Sequence, residues 1–392
     1  MSEERLQLES QLCEEIKKFT KKNIWPEASA DDEKQIFRKE IYQKLGDLGI
    51  AGMTTSEKYN GMGLSYQSYT RALSEVARAS VAYAVTLSVS GMVQNIISQF
   101  GNNSQKEKYL SELAKGQEIG AFALTESNSG SDASALKSTA KKTKGGYLLQ
   151  GSKIFITSGG VAKTYIVMAR TGEEGAKGIS AFIVTDGMKG FSYGKKEKKM
   201  GWRVSPTTEL IFNQCFVPKE NLLKEEGEGF EIAKAALDPG RVTIGAISVG
   251  LAKEAFYQAF KYANERKQFK KPIIEFQAIE FMLAEMNMEI CASELLVAKA
   301  CELLDQIKTS KKNNEILKNT FGKYASMAKV KASDTAMKVT TDAVQILGGV
   351  GYTAEYPVER FMRDAKVLQI VEGTNQIQRG LIARYLKSEI LG

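Results

Sequence analysis

Three regimes of hydrophobic patterning divide the 392-residue chain. Up to about residue 118, apolar residues recur at helical spacing. Leu6, Leu8, Leu12, Ile16 and Phe19 share one face of a first helix. Asp31, Asp32 and Glu33 cap a second that runs to about Leu48. The polar stretch 54–63, ending in two glycines, reads as a loop. Helices over Tyr66–Ala79 and Val81–Phe100 and a short one over Gln105–Lys115 complete this region. From Ile119 to about Val217 the period changes. Short β-type runs at 121–124, 147–149, 153–157, 165–168, 179–184 and 209–216 alternate with turn signals such as Gly145-Gly146 and Ser158-Gly159-Gly160. Helical periodicity returns near Gly229 and lasts to the end. Asp238-Pro239 reads as an N-cap and first-turn proline of a helix towards Arg266. Two long helices follow over Glu275–Ile307 and Asn314–Leu347. The expected class is α+β, with an N-terminal helical domain (1–118), a middle β domain (119–228) and a C-terminal helical domain (229–392).

Composition narrows the chemistry. Hydrophobic content of 43% and charged content of 26% are those of a globular chain. The net charge of +8 is modest, and no basic patch is interleaved with aromatics, so nucleic acid is not an expected partner. Basic runs at Lys195-Lys196 and Lys198-Lys199 are either solvated faces or aids to anionic ligands. Residues 79–105 carry no charge but hold many Ser, Gln and Asn; a buried helix fits them better than a membrane span. Met1 to Arg5 show no apolar leader segment. Cys13, Cys215, Cys291 and Cys301 form no C-x-x-C pair and read as buried, reduced thiols, which with the missing leader points to the cytoplasm. The chain has no histidine. His-dependent nucleophiles and His-based metal sites are thereby excluded, and a general base must be Asp, Glu, Lys or Tyr. No metal ligand set is assigned.

Two stretches carry candidate chemistry. In Val371-Glu372-Gly373-Thr374-Asn375-Gln376-Ile377-Gln378-Arg379-Gly380 one carboxylate adjoins a glycine that permits a sharp turn. Phe361–Val371 before it reads as a helix or an extended segment. Gln376–Leu386 after it reads as a helix with Ile377, Leu381, Ile382 and Tyr385 on one face. The stretch either holds a carboxylate against a flat bound molecule or is a helix N-terminus with an acidic first-turn residue. Phe122-Ala123-Leu124-Thr125-Glu126-Ser127-Asn128-Ser129-Gly130-Ser131-Asp132 runs from a strand into a hydroxyl-rich loop. It is either a plain turn or a set of donors for carbonyl or phosphate oxygens. Gly349-Val350-Gly351 lacks the third glycine of a dinucleotide fingerprint, and Gly146–Gly151 is followed by Ser152-Lys153 in the wrong order for a P-loop.

These stretches, with Gly151–Gly159, Lys199–Arg203, Asn264–Phe269 and Gln345–Tyr352, resemble in order and spacing the motifs of the acyl-CoA dehydrogenase family. The resemblance spans nearly the whole chain and implies the family's helical, β-barrel or sandwich, and four-helix-bundle domains. It implies bound FAD, a CoA thioester substrate and a homotetramer. Phe122, Leu124, Thr125, Phe155 and Thr157 would line the flavin, Thr125 donating to its pyrimidine end. Ser131 would face both flavin phosphate and substrate. Arg266, Phe269 and Gln277, with Gln345, Gly348 and Gly349, would reach the flavin of a neighbouring subunit. Thr374 and Gln376 would complete the flavin site, while Phe230, Asp238, Arg241 and Gly373 would contact the substrate.

The implied reaction is α,β-dehydrogenation of a short-chain acyl-CoA to the trans-2-enoyl-CoA, as in fatty acid β-oxidation. Glu372 would take the α-proton while hydride passes from the β-carbon to flavin N5. A ribityl hydroxyl and the Glu372 backbone N–H would grip the thioester oxygen. Electron-transferring flavoprotein would be the acceptor; no membrane partner is implied. Some relatives carry the base on the helix that begins here at Leu237-Asp238-Pro239-Gly240-Arg241, and Gly240 occupies that position. Val371 stands where many relatives have Tyr. No Arg lies between Val81 and Ser90, where dicarboxylyl-CoA relatives place one. The alternatives are a flavin acyl-CoA oxidase on the same fold and a flavin-free scaffold protein.

Overall fold

The computed structural model describes residues 3–310 and 314–391. The expectation about a leader segment falls partly on Met1 and Ser2, and two domain limits fall on residues 1 and 392; these lie outside the described residues. The helical–β–helical order is as expected, in a mixed α+β fold. The first layer comprises α1 (Glu3–Asn23), α2 (Ala28–Lys34), α3 (Lys39–Asp47), α4 (Tyr66–Ala79), α5 (Val81–Phe100) and α6 (Asn103–Ala114). Along α1, Ile16 is buried but Leu8 is 49% exposed, so the apolar face is narrower than its spacing suggested. Helix α5 is long and apolar enough to cross a membrane, yet 83% of its most apolar stretch is buried within the protein. Asn102 and Gln105 form a reciprocal capping box on α6.

Asp31 and Asp32 do not cap a helix that reaches Leu48. They lie inside α2, which ends where Gln35 turns left-handed at φ 55°, and α3 starts afresh at Lys39. Both acids are used for tertiary ion pairs instead. Asp31 accepts from Arg38 at 2.8 Å, and Asp32 accepts from Arg363 at 2.9 Å, joining the first and last regions of the chain.

The middle region is one mixed sheet. Its strands are β1 (Gly120–Ala123), β2 (Thr139–Thr143), β3 (Gly146–Thr157), β4 (Thr164–Arg170), β5 (Ile179–Thr185), β6 (Phe191–Lys196), β7 (Thr207–Pro218) and β8 (Leu222–Leu223). They run in the order β6-β7-β3-β2-β4-β5-β8, with β1 parallel to β4 at its own edge. The two runs expected at 147–149 and 153–157 are a single strand, β3, which pairs with β7 through two register shifts. Strands β2 and β6, which hydrophobic pattern did not reveal, are largely solvent-facing and carry Lys141, Lys142, Lys195 and Lys196. The motif at Lys199–Arg203 fastens this sheet to the last helices. The Trp202 backbone N–H donates to Asp364 Oδ1 at 2.6 Å, and its indole N–H donates to the Asp364 carbonyl at 3.1 Å.

The last region packs α7 (Gly229–Glu265), a small β9–β10 hairpin (Lys267–Gln268, Lys271–Pro272), α8 (Gln277–Thr309) and α9 (Glu315–Leu347) against the first layer. The short α10 (Gly349–Tyr352), α11 (Val358–Leu368) and α12 (Asn375–Leu391) complete it. Asp238 is not an N-cap: α7 runs through Pro239 without ending. Apolar residues on both sides of the proline, Ile232 and Ala236 before it and Val242 and Ile247 after it, are buried, and this packing outweighs the missing hydrogen bond. Helices α4 and α7 approach closely because position 250 is glycine; a methyl group there would lie 2.2 Å from the Ser74 carbonyl oxygen. Segment 358–368 is helical, and the buried side of α12 carries Asn375 and Gln378 while Ile377 is 41% exposed, unlike the apolar face expected there. Cys13, Cys215 and Cys301 are buried and Cys291 is exposed, which corrects the reading of four buried thiols.

A buried ion pair holds the hydroxyl-rich loop to the sheet. Lys153 on β3 donates to Glu126 at 2.6 Å and to the Leu124 carbonyl at 3.1 Å, and it has no solvent exposure. Glu126 also accepts the backbone N–H groups of Lys137 and Ser138, at 2.6 and 3.0 Å. Losing one partner of such a pair leaves an uncompensated buried charge. Lys153→Met is therefore expected to destabilise the protein by about 3–5 kcal/mol. Lys153→Met combined with Glu126→Gln is expected to recover more than half of that loss. Urea unfolding of the two variants checks both values; equal losses would mean that the pairing itself contributes nothing.

Candidate active site

The carboxylate at position 372 sits in the turn between α11 and α12, and that turn is wound left-handed. Glu372 has φ 54° and Gly373 has φ 86°. An L-residue pays roughly 1–2 kcal/mol for this conformation, so something must hold it. Gln378 Nε2 donates to the Glu372 carbonyl at 2.9 Å, and Lys329 Nζ donates to the Gly373 carbonyl at 3.0 Å. The Asn375 N–H donates to the Gln369 carbonyl at 3.0 Å and closes the turn. Glu372 lies before α12, not in its first turn, so the reading as a first-turn acid does not apply.

The turn aims the side chain inward. Glu372 is half-buried as a residue, but its Oε2 is sealed from solvent and meets no hydrogen-bond partner among the described residues. Burial pushes its pKa up to about 7, against the pull of Arg241 and then Lys329. Neither cation forms an ion pair with it. Arg241, 9% exposed, pairs through Nη1 with Asp238, and its Nε also lies buried without a partner among the described residues. Gly240 brings α7 against the carboxylate: a methyl group there would lie 2.6 Å from Glu372 Oε2 and 2.8 Å from Met92 Cε. No side chain at 240 could share this space without moving the acid.

Met92 and Leu124 belong to one apolar cluster, and Phe122 and Phe230 pack against it. The acid thus lies beside an apolar cluster shared by α5, α7 and the sheet. On the sheet side, the Ile154 N–H donates to the Thr125 carbonyl at 2.9 Å and brings Leu124 and Thr125 beside the end of β3. There Phe155 has φ 58° and its side chain is 59% exposed, offering a ring to a flat ligand. Thr157 is half-buried, and the neighbouring Ser158 Oγ is sealed without a partner among the described residues. In the loop, Glu126 and Ser129 exchange backbone hydrogen bonds, leaving Ser127 and Ser131 facing solvent. Thr374 is half-buried and Gln376 exposed at the start of α12. Exposed aromatic, hydroxyl donors and sealed polar atoms suit an isoalloxazine-type group with a phosphate tail.

The other expected residues lie elsewhere. Arg266, Phe269 and Gln277 are exposed around the β9–β10 hairpin, with Phe269 at 88%. Gln345, Gly348 and Gly349 are exposed at the end of α9. No hydrogen bond or ion pair among the described residues joins this second group to Glu372 or to the loop.

Four residues of the site escaped sequence reasoning: Lys329, Asn375, Gln378 and the Lys153–Glu126 pair's lysine. Lys329 offered a signal. It lies on the helix face of Phe321, Ala325, Ala328, Ala332 and Ala336, all buried, where a cation is out of place unless it has a task.

Comparison with known proteins gives the family of the chain. Family models described as the N-terminal, middle and C-terminal domains of acyl-CoA dehydrogenase match residues 7–117, 121–215 and 227–387. A short-chain-specific acyl-CoA dehydrogenase of Megasphaera elsdenii is 47% identical over 92% of this chain and 93% of its own. The solved structure of butyryl-CoA dehydrogenase from Megasphaera elsdenii superposes with a TM-score of 0.92 at 44% identity, covering 98% of each chain. A structure described as the electron transferring flavoprotein of Acidaminococcus fermentans contains a chain with the same TM-score, identity and coverage. With three matched domains in order and relatives aligned nearly end to end, this chain belongs to the acyl-CoA dehydrogenase family of oxidoreductases.

Proposed function

We propose that the protein is an FAD-dependent dehydrogenase of short-chain acyl-CoA thioesters, with Glu372 as the base. One observation carries the reading: Glu372 holds a sealed, unpaired carboxylate oxygen beside the apolar side chain of Met92, with burial raising its pKa to about 7. An ordinary exposed glutamate would be too weak a base at neutral pH, and a salt-bridged one weaker still. Short substrates are favoured by the likeness to short-chain and butyryl-CoA relatives.

Phe122, Leu124, Thr125, Phe155, Thr157, Thr374 and Gln376 would hold the flavin ring, and Ser131 its phosphate. When bound, the flavin supplies an acceptor for the hydride of the substrate β-carbon. The chain's own residues do the rest. Phe230 and Met92 flank the acyl groove and exclude water. The Glu372 N–H donates to the thioester oxygen as negative charge builds there. Glu372 Oε2 receives the α-proton. Asp238 and Arg241 would contact the CoA moiety, and the Arg241 charge also favours the ionised carboxylate. Arg266, Phe269, Gln277, Gln345, Gly348 and Gly349 would reach the flavin of a neighbouring subunit in a homotetramer. Their exposure and separation from Glu372 support that division. Electron-transferring flavoprotein would take the electrons, a reading supported by the likeness to the Acidaminococcus chain.

Three expectations follow from this site. Glu372→Gln keeps the side-chain shape and the backbone N–H but removes the basic oxygen. It is expected to bind FAD and butyryl-CoA and to lose flavin reduction by about 10⁴-fold or more, the upper range for a general base. Anaerobic stopped-flow reduction by butyryl-CoA measures this. Reduction within about tenfold of wild type would assign the base to another residue.

The same substitution should change stability with pH in a defined direction. Glu372 has a folded pKa of about 7 against 4.5 for the free acid, so the folded state holds its proton more tightly. Stability therefore falls as pH rises from about 4.5 to 7 and stays lowered above that. Glu372→Gln removes this loss. Its apoprotein should match wild type near pH 4.5 and exceed it by about 2–3 kcal/mol at pH 8. Denaturant midpoints at the two pH values test it.

Glutaryl-CoA should not be turned over usefully. A distal carboxylate buried in the groove without a cation pays several kcal/mol. Helix α5 offers none over residues 81–90, where Ser88 instead hydrogen-bonds Thr243 at 2.7 Å. Arg78, in the last turn of α4, is paired with Glu254 at 3.0 Å. Turnover within about tenfold of that with butyryl-CoA would contradict this, since an unpaired carboxylate should cost more.

A further inference from the structure

The turn that carries Glu372 is not held by its own helices alone. A lysine from the middle of α9 reaches it. Lys329 has no solvent exposure, and its Nζ donates to the Gly373 carbonyl at 3.0 Å and to Asn375 Oδ1 at 2.7 Å. Asn375 is fixed in turn from the same helix. Its Nδ2 donates to Ser333 Oγ at 2.9 Å and to Asp334 Oδ1 at 2.7 Å. Asp334 also accepts from Gln369 before the turn at 2.7 Å and from Arg379 after it at 2.6 Å. One short stretch of α9, from Lys329 to Asp334, thus grips the turn at its carbonyl, at its exit and at its entry.

The cost of this arrangement shows that it is not filler. Burial drags the Lys329 pKa down to about 8, and the lysine has no carboxylate ion-pair partner among the described residues. A leucine or methionine would fill the space without that penalty. The charged groups around it are Glu372 in the turn, Asp334 on its own helix, Arg241 on α7 and Arg379 on α12. On α8, Glu289 is paired with Lys331; on α11, Asp364 accepts from Trp202. Glu372 and Lys329 each favour the charged state of the other across a site from which water is largely excluded.

We propose that Lys329 is a positioning residue for the base. Its ammonium straps the Glu372–Gly373 turn to α9 and supplies positive potential that keeps the Glu372 carboxylate ready to accept a proton. The proposal rests on Glu372 being the base, but its physical part, that Lys329 sets the geometry and the acidity of Glu372, can be tested apart from that reading.

Lys329→Met fills the same volume without donor or charge. In the flavin-loaded protein, the Glu372 carboxyl can be titrated by infrared difference spectroscopy and assigned by its loss in Glu372→Gln. The midpoint should rise by about one pH unit in Lys329→Met, as expected when a nearby cation is removed. Flavin reduction by butyryl-CoA at neutral pH should fall by about tenfold or more, through misplacement and through the smaller ionised fraction together. Asn375→Ala removes the side-chain half of the strap, including its bonds to Ser333 and Asp334, but leaves the ammonium and its bond to the Gly373 carbonyl. It should slow reduction about tenfold without an upward move of the midpoint. An unmoved midpoint in Lys329→Met would overturn the electrostatic role. Reduction within about threefold of wild type in Asn375→Ala would overturn the strap, whether or not Lys329→Met folds. If Glu372→Gln still reduces flavin normally, the base assignment fails, while the infrared midpoint still decides whether Lys329 controls this carboxyl.

Discussion

The structure depends on keeping one carboxylate buried without giving it an ion-pair partner. A direct salt bridge would lower the pKa of Glu372 by one to three units or so and leave it a poor base. Burial with no cation nearby would leave it protonated well above neutrality. The protein takes a middle course. Arg241 and Lys329 lie near enough to lower the pKa, but Arg241 is committed to Asp238, and Lys329 to the Gly373 carbonyl and Asn375. The carboxylate is left free, with a pKa of about 7. Gly240 is part of the same solution, because any larger residue would push into Glu372 Oε2.

Two fully buried lysines secure the two sides of the site. Lys153 holds the loop after β1 through Leu124 and Glu126, and Lys329 holds the turn before α12 through Gly373 and Asn375. In each case the ammonium bonds a main-chain carbonyl and one side chain of an irregular segment. Loops are ordinarily the least stable parts of a fold. Here each is fastened to a rigid element, a long strand or a 33-residue helix, by a cation that would be expensive to leave unbonded. Positional accuracy at the proposed base requires that kind of support, since small misplacements cost rate steeply.

Most of the architecture was legible because helical and β periods are local. Tyr66–Ala79 and Val81–Phe100 are the helices that spacing implied, bounded by Ser65 and Ser80. Legibility failed where long-range contacts override local signals. Asp31 and Asp32 look like caps but are spent on Arg38 and Arg363. Pro239 looks like a helix start but is carried through by packing on both sides. Strands β2 and β6 lack apolar alternation because they are largely solvent-facing. In the site, Glu372 stood out by its neighbour Gly373. Lys329 did not, although it lies only 43 positions away, because its role appears only once α9 and the turn are side by side.

The separation between the two groups of expected residues follows from the same construction. The residues packed around Glu372 that carry the proposed proton transfer come from one chain: Met92 on α5, Gly240 and Arg241 on α7, and Lys329 on α9. Arg266, Phe269 and Gln277, with the Gln345–Gly349 corner, are held at the exposed end of the helices, and a methyl group at Gly348 or Gly349 would meet nothing within 4 Å. That end also bears apolar side chains in water, Phe269 at 88% and Tyr352 at 84% exposure, and α8 adds Phe281 at 59%. Such surface is costly unless something covers it. A cofactor held as proposed, with its tail reaching an arginine and open glycine backbone of a second chain, would account for both facts at once. The proton-transfer machinery would then be complete within one chain, while retention of the cofactor would depend on assembly.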